Sequence, residues 1–445
     1  MVGLAFFLAA NLIRLIFLWG TGDNTLIQAD YAWGPVFLWG ATRLRLHRVV
    51  TLAGTFLVSL VAIAGDVIMI FGRRFRWGPD AVLDYIGAYS DLPWTLVLPV
   101  AALVLIAAAL SVSFLTIRRC TRIALWPLAT VLGGLAIMDA AVGESSFRSL
   151  RGSYNILTTS AAAMGVSIIA RGLHGPALYR LNDMTLARTL AVEPPTALLS
   201  IAVESLGWPV DAERRQALLR PLLKPLAHDY YVTVESHRYY GTTLAGEIRE
   251  LCSLRLVGVP SKVGLLKRLD GCLPAKLKRL GYDTQALHGN GGLIYRRSQI
   301  YPAMGFKRSW FYDQLRAADS RVGPCTGTVF KGACDKAVLD RALSLFDGQR
   351  RLVHVMTLDS HLPLPSVEHG VCDPAFRADK TLCTYSRAMT RSFSGIVQAV
   401  QNAAHPPNLI VIYGDHAPPF ALLSTRRFFD AEQVPFLVLR RRHLE

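Results

Sequence analysis

The chain is short of acid, of repetition, and of long uncharged runs beyond its first third. Its 445 residues carry 32 Asp and Glu against 48 Lys and Arg, a formal net charge of +16. A basic balance of this size raises nucleic-acid binding first, and the placement of the excess excludes it. Much of the charge stands in short clusters beside apolar runs: Arg43, Arg45 and Arg48, then Arg118, Arg119 and Arg122. Membrane topology and anionic lipid account for clusters so placed. No internal repeat or low-complexity tract is present, which excludes a solenoid and a biased, disordered tract. Cysteine is nearly missing before residue 250, where Cys120 stands alone, and six follow. In an exported domain, six can close three bridges. Cys325 with Cys334 and Cys372 with Cys383 are the close pairs, which leaves Cys252 with Cys272, one of several connectivities six cysteines permit.

What is there is apolar: 52% of residues, with a mean hydropathy of +0.32. A bilayer-spanning helix takes about 20 apolar residues, and three runs reach that length: Val49 to Phe71, Trp94 to Ile117, and Ile123 to Val142. A fourth, Leu4 to Trp19, carries Arg14 and is slightly short; it reads as a retained helix, since no small-residue cleavage site follows it. Tyr31 to Ala41 is a fifth span or an interfacial helix, with the span favoured. Placing both basic clusters in the cytoplasm puts everything after Val142 outside, although Arg73, Arg74 and Arg76 then fall on the wrong side.

The expected organisation is therefore a membrane anchor of four to five helices over 1–143, an amphipathic connector along the membrane surface over 144–225, and an extracytoplasmic domain over 226–445. In the last part, β-rich runs alternate with helical stretches: Tyr230 to Val234, Leu352 to Leu358, Leu409 to Tyr413 and Phe436 to Leu439. That alternation predicts an α/β domain with a mostly parallel central sheet.

Three of those runs end in polar groups: Glu235 and Ser236; Asp359, Ser360 and His361; Asp415 and His416. Ligands of open α/β sheets bind at the carboxyl ends of the strands. Carboxylates and imidazole together suit a divalent cation such as Mn or Zn, whereas Mg prefers more oxygen. Taken singly, a strand-end Asp more often caps the next helix and a lone His is more often merely hydrogen-bonded. The coincidence on three strands is what argues for a site. The segment Gly241 to Glu247 supplies two hydroxyls, at Thr242 and Thr243, that a bound metal could make nucleophilic. Thr243 also reads as a helix N-cap, and the two readings are compatible because a helix N-terminus favours phosphate.

Several motifs follow one another in a fixed order. They are Val-Glu-Ser (Val234 to Ser236), Thr-Leu-Ala-Gly (Thr243 to Gly246) leading into Leu251 and Cys252, His-Gly-Asn (His288 to Asn290), Tyr-Arg-Arg (Tyr295 to Arg297), Ser360-His361, and Tyr-Gly-Asp-His (Tyr413 to His416). The series resembles the sulfatase-like phosphotransferases of the alkaline phosphatase superfamily, which include lipoteichoic acid synthase, the glucan phosphoglycerol transferases and the phosphoethanolamine transferases.

The resemblance implies that Glu235, Thr243, Asp415 and His416 hold a divalent metal ion, with Thr243 also the nucleophile. It implies that Arg297, or Arg296 beside it, grips the donor phosphate and that Tyr295 packs on the headgroup. His288 and Asn290 would complete the substrate site, and His361 would handle protons. The implied activity is transfer of a phospholipid headgroup to a glycan or glycolipid hydroxyl. Phosphoglycerol is preferred over phosphoethanolamine, and the implied place is the outer face of a bacterial cytoplasmic membrane. A hydrolase of the same fold and an inactive sensory protein are the alternatives. A sulfatase with Cys252 as its modified nucleophile is disfavoured, because Cys252 to Arg255 lacks the proline of that motif and misplaces its arginine.

Overall fold

The computed structural model describes residues 7–8, 10–12, 29–75, 129–130, 177–181, 195–257, 266, 268–325, 332–362, 364, 371–420 and 423–442. The chain divides into two compact units, Met1–His174 and Gly175–Glu445.

In the first unit, helix α1 (Trp33–Arg43) is followed by the 28-residue α2 (Arg48–Phe75). Gly54 of α2 lies against the Phe37 ring, where a side chain would collide. The Tyr31 hydroxyl donates to Asp66 Oδ2 at 3.1 Å, which gives the buried Asp66 a partner. The expected span Val49 to Phe71 falls within α2. The stretch expected as a fifth span is the 11-residue α1, about 17 Å of helix at 1.5 Å per residue and short of a bilayer core. Among the described residues, no helix is long and apolar enough to cross a membrane. The expected spans Trp94 to Ile117 and Ile123 to Val142, and most of Leu4 to Trp19, lie outside the described residues.

The second unit is built on a seven-stranded sheet. Its strands are β2 (Ala197–Val203), β3 (Tyr230–Arg238), β5 (Asp283–His288), β6 (Arg308–Trp310), β7 (Arg351–Met356), β8 (Leu409–Gly414) and β9 (Gln433–Arg441), in the order β3-β9-β8-β2-β7-β5-β6. The pairings between β8 and β6 are parallel and β9 runs antiparallel to both its neighbours, so the sheet is mostly parallel as the sequence suggests. A separate two-stranded antiparallel sheet joins β1 (Ala177–Arg180) to β4 (Leu254–Val257).

The middle of the sheet corrects the expected layout. Strand β2 lies within 144–225, the stretch anticipated as a surface connector, yet it sits between β7 and β8 with every residue buried. Its sequence, Ala-Leu-Leu-Ser-Ile-Ala-Val, is the near-continuous apolar run of a strand covered on both faces. Alternate side chains serve two cores. Leu199, Ile201 and Val203 face helices α3 (Ala212–Leu226), α8 (Asp335–Leu343) and α9 (Lys380–Gln401). Leu198 and Ala202 face α4 (Thr243–Cys252), α5 (Leu273–Arg279) and α6 (Arg297–Met304). Each Leu, Ile or Val side chain among them contributes about 1.5–3 kcal/mol on burial, so the connector reading would have left a well-covered core strand on the surface.

All three expected bridges, Cys252–Cys272, Cys325–Cys334 and Cys372–Cys383, are formed. The first ties the end of α4 to the start of α5, and the third ties the chain before α9 to its first turn.

Candidate active site

Because the central strands are parallel, their carboxyl ends open on one edge of the sheet. There β2 delivers Glu204 and Ser205, β8 delivers Asp415 and His416, β7 delivers Thr357 to His361, and β5 ends at His288. Glu204, Asp415 and His416 each offer a ligand atom, and these atoms lie within 4.8 Å of one another. His416 Nε2 stands 3.5 Å from Glu204 Oε1 and 3.4 Å from Asp415 Oδ2. The His416 Nδ1–H donates to the Ala417 carbonyl at 2.9 Å, which directs the Nε2 side toward the two carboxylates.

Thr243 is the first residue of α4 and is buried, and its hydroxyl donates to Glu204 Oε2 at 3.2 Å. The cap position belongs to Thr242, whose side chain makes no capping bond, so Thr243 itself is not the N-cap the sequence allowed. The α4 N-terminus therefore supplies a hydroxyl and a partly positive helix end in one place.

Ser205 binds the cluster together. Its backbone is left-handed (φ 57°), a conformation that costs a non-glycine residue about 1–2 kcal/mol and persists only where the surroundings impose it. The Ser205 N–H donates to Asp415 Oδ1 at 2.8 Å, and its hydroxyl donates to Glu204 Oε1 at 2.8 Å. Its carbonyl accepts from Tyr385 at 2.9 Å. The loop after β7 closes the other side: the Glu204 N–H donates to Thr357 Oγ1 and the Ser360 hydroxyl donates to the Glu204 carbonyl.

The electrostatics are those of two carboxylates and an imidazole crowded together away from water. Burial, and then the Glu204 charge beside it, push the Asp415 carboxyl up to about 7. Burial works against protonation of His416, and Asp415 and Glu204 more than reverse that effect, raising it above the ordinary histidine range. Asp415 Oδ2 is fully buried and receives no hydrogen bond. Two carboxylates, an imidazole and an alcohol fit a borderline divalent ion such as Mn or Zn, and the orphaned oxygen points to where one would sit.

The remaining expected residues fall at or near this edge, with one exception. Glu235 lies on β3, the outermost strand, opposite Phe436 of β9, and is not part of the cluster. The carboxylate that joins Asp415 and His416 is Glu204, in a second Val-Glu-Ser tripeptide, Val203 to Ser205. Sequence reasoning passed over it because it falls in the presumed connector. The signal was present: Ala197 to Val203 is unbroken and apolar, whereas Tyr230 to Arg238 alternates into solvent as an edge strand does.

His361 is held down to about 4 by burial first and the His416 charge second, so it is neutral at pH 7. Arg297 is buried, and its Nε and Nη2 donate to Glu247 Oε2 at 3.0 and 2.8 Å. Only its Nη1 is turned toward His288, 3.5 Å from Nε2. The half-buried Tyr295 stacks under that guanidinium, 5.1 Å from its ring centre, on a left-handed backbone. Burial, then the Arg297 charge, lower His288 to about 3. Asn290 spends its side-chain oxygen on its own turn, accepting from the Gly291 N–H. A second group of possible ligands, Cys325, Cys334 and Asp359, has both sulfurs in a disulfide and is not a cation site.

Residues 236–444, within the second unit, match the family model described as Sulfatase. The match contains Thr243, Asp415 and His416 but begins after Glu204. No curated protein matches the chain. Among solved structures, the lipoteichoic acid synthase LtaP of Listeria monocytogenes is similar at 16% identity over 62% of this chain and 72% of its own, with a TM-score of 0.44. The Streptococcus pyogenes phosphoglycerol transferase GacH, in complex with sn-glycerol-1-phosphate, is similar at 18% identity over 55% and 68%, with a TM-score of 0.42. The C-terminal periplasmic domain of EcEptC from Escherichia coli, in complex with Zn, is similar at 16% identity over 56% and 73%, with a TM-score of 0.39.

Proposed function

We propose that the protein is a membrane-anchored phosphotransferase that passes a phospholipid headgroup, phosphoglycerol by preference, through Thr243 to a glycan or glycolipid hydroxyl outside the cytoplasmic membrane. The observation that carries this reading is the Thr243 hydroxyl at a helix N-terminus, 3.2 Å from Glu204 and beside Asp415 and His416. Glu204, Asp415, His416 and the Thr243 oxygen would hold a divalent ion, Mn or Zn before Mg. When bound, such an ion lowers a hydroxyl's pKa and balances charge on phosphoryl oxygens.

Two displacements make the turnover. The Thr243 oxygen bonds to phosphorus, the bond to diacylglycerol breaks, and the Thr243 proton leaves with diacylglycerol as its alcohol. An acceptor hydroxyl then attacks the phosphorus, its proton returns to Thr243 oxygen, and the phosphodiester is released. His361, neutral at pH 7, can take and return that proton. Arg297 and Tyr295 form the wall that receives the headgroup, with Glu247 fixing the guanidinium. A lipid donor suits an anchored enzyme, since the donor need not leave the bilayer to reach the site.

Incubation of the detergent-purified protein with Mn or Zn and either phosphatidylglycerol or phosphatidylethanolamine, followed by mass spectrometry of the Thr243 peptide, tests the proposal. A phosphoglycerol adduct absent from Thr243→Ala is the expected result. A phosphoethanolamine adduct would reassign the donor, and diacylglycerol release without any adduct would replace transfer by hydrolysis.

A further inference from the structure

One face of α4 does more than present Thr243. Residues 243, 246 and 250 fall along a stripe at i, i+3, i+7 spacing with 249 at its flank, and each meets the ligand cluster or its support. Gly246 packs on the backbone of the ligand turn: a methyl group there would lie 2.8 Å from Asp415 Cα and 3.0 Å from its carbonyl oxygen. Arg249 is 1% exposed, and its Nη1 and Nη2 donate to the carbonyls of Asp415 and Gly414 at 3.1 and 2.7 Å. Its Nε donates to Glu250 Oε1 at 2.5 Å. Glu250, equally buried, is in turn hydrogen-bonded to His237 Nδ1 at 2.9 Å, and the His237 ring stacks on Phe436 at 4.0 Å. A chain of contacts thus runs from edge strand β3 through α4 to the turn that carries Asp415 and His416.

Apolar residues alone would dock a helix on a sheet, and a buried arginine is expensive unless its donors are satisfied. Here two of the donors fork onto adjacent carbonyls at the end of β8, those of its last residue and the next. We propose that Arg249, held by Glu250 and His237, is the positioning residue that sets Asp415 and His416 at their working distance from Thr243 and Glu204. The inference rests on the reading of those four residues as metal site and nucleophile, and it extends that reading by making the nucleophile's own helix the gauge of the ligand turn.

The test is calorimetric titration of Mn and Zn into the full-length protein in detergent, with apo-protein melting and lipid turnover measured alongside. The double variant Arg249→Met/Glu250→Gln removes both charges together and leaves neither buried alone. The expected result is metal affinity weakened about tenfold or more and a lower kcat, with KM for lipid and apo melting unchanged. Arg249→Lys keeps a charge beside Glu250 without the two-pronged grip, and should fall between. Wild-type affinity and kcat in the double variant overturn the proposal. If that variant melts early, wild-type affinity in Arg249→Lys overturns it equally. A wild-type protein that binds neither metal removes the metal-site reading and this inference with it, whereas tight wild-type binding matched by the variants removes the inference alone.

Discussion

A carboxylate holds a cation best when it is fixed in place, and Glu204 is both fixed and withdrawn from water. It is 2% exposed, its backbone is fixed from the β7 loop on both sides, and Ser205 and Thr243 donate to its two oxygens. Glu235 sits on the outermost strand, remote in sheet order from β2. Glu204→Gln should therefore weaken Mn or Zn binding by more than about 100-fold, since even partners outside the coordination sphere are worth 10 to 100. Glu235→Gln should leave it unchanged, and calorimetry on the two variants separates the candidates. Beneath the site, Glu247 shows how the fold secures a charge it cannot expose. Burial alone would raise its carboxyl, and Arg297, with His354 and Tyr301, overrides burial and holds it at about 2.

At the scale of elements, α4 is the part on which the site depends most. Its first residue is the candidate nucleophile, its middle touches the ligand turn, and its last residue is tied to α5 by a disulfide. Gly246→Ala sets two effects against each other. Alanine gains up to about 1 kcal/mol of helix propensity, while forcing a methyl into a well-packed contact costs about 1–3 kcal/mol. The contact here is backbone, which cannot turn aside as a side chain can, so the clash wins. The expected outcome is a net loss of about 1–2 kcal/mol in urea unfolding, accompanied by loss of the Thr243 adduct. Four strands after residue 226, β3, β7, β8 and β9, are legible in the sequence as apolar runs, whereas β5 and β6, Asp-Thr-Gln-Ala-Leu-His and Arg-Ser-Trp, are too polar to stand out. The boundary at 226 is not legible, because β2 is a single seven-residue run in a stretch whose pattern is otherwise helical and mixed, which resembles a connector lying on a membrane.

For the whole molecule, buried His288 makes stability depend on acid. His288 is neutral in the folded protein down to about 3, while the same residue in an unfolded chain takes up a proton below about 6.5. Its contribution is intact above 6.5 and is lost as pH falls between those values, at about 1.4 kcal/mol per pH unit for one proton. Urea unfolding of the metal-free protein from pH 7 to pH 4 should show that decline. His288→Asn, which removes the titrating ring, should flatten it by up to one proton. An unchanged slope would mean that His288 is protonated in the native state.

The sequence by itself determined the α/β alternation, which cysteines stand close enough along the chain to be candidate pairs, and the placing of Thr243, Asp415 and His416 at the beginnings or ends of elements. Each of these is written locally, in the period of a run, the spacing of cysteines, or the polar residues where a run stops. Only the tertiary structure decided which of two Val-Glu-Ser tripeptides joins them. A strand's rank in a parallel sheet depends on neighbours far away in sequence: β2 at 197–203 lies between β7 at 351–356 and β8 at 409–414. That long-range pairing carries Glu204 to the centre of the edge and leaves Glu235 at its rim.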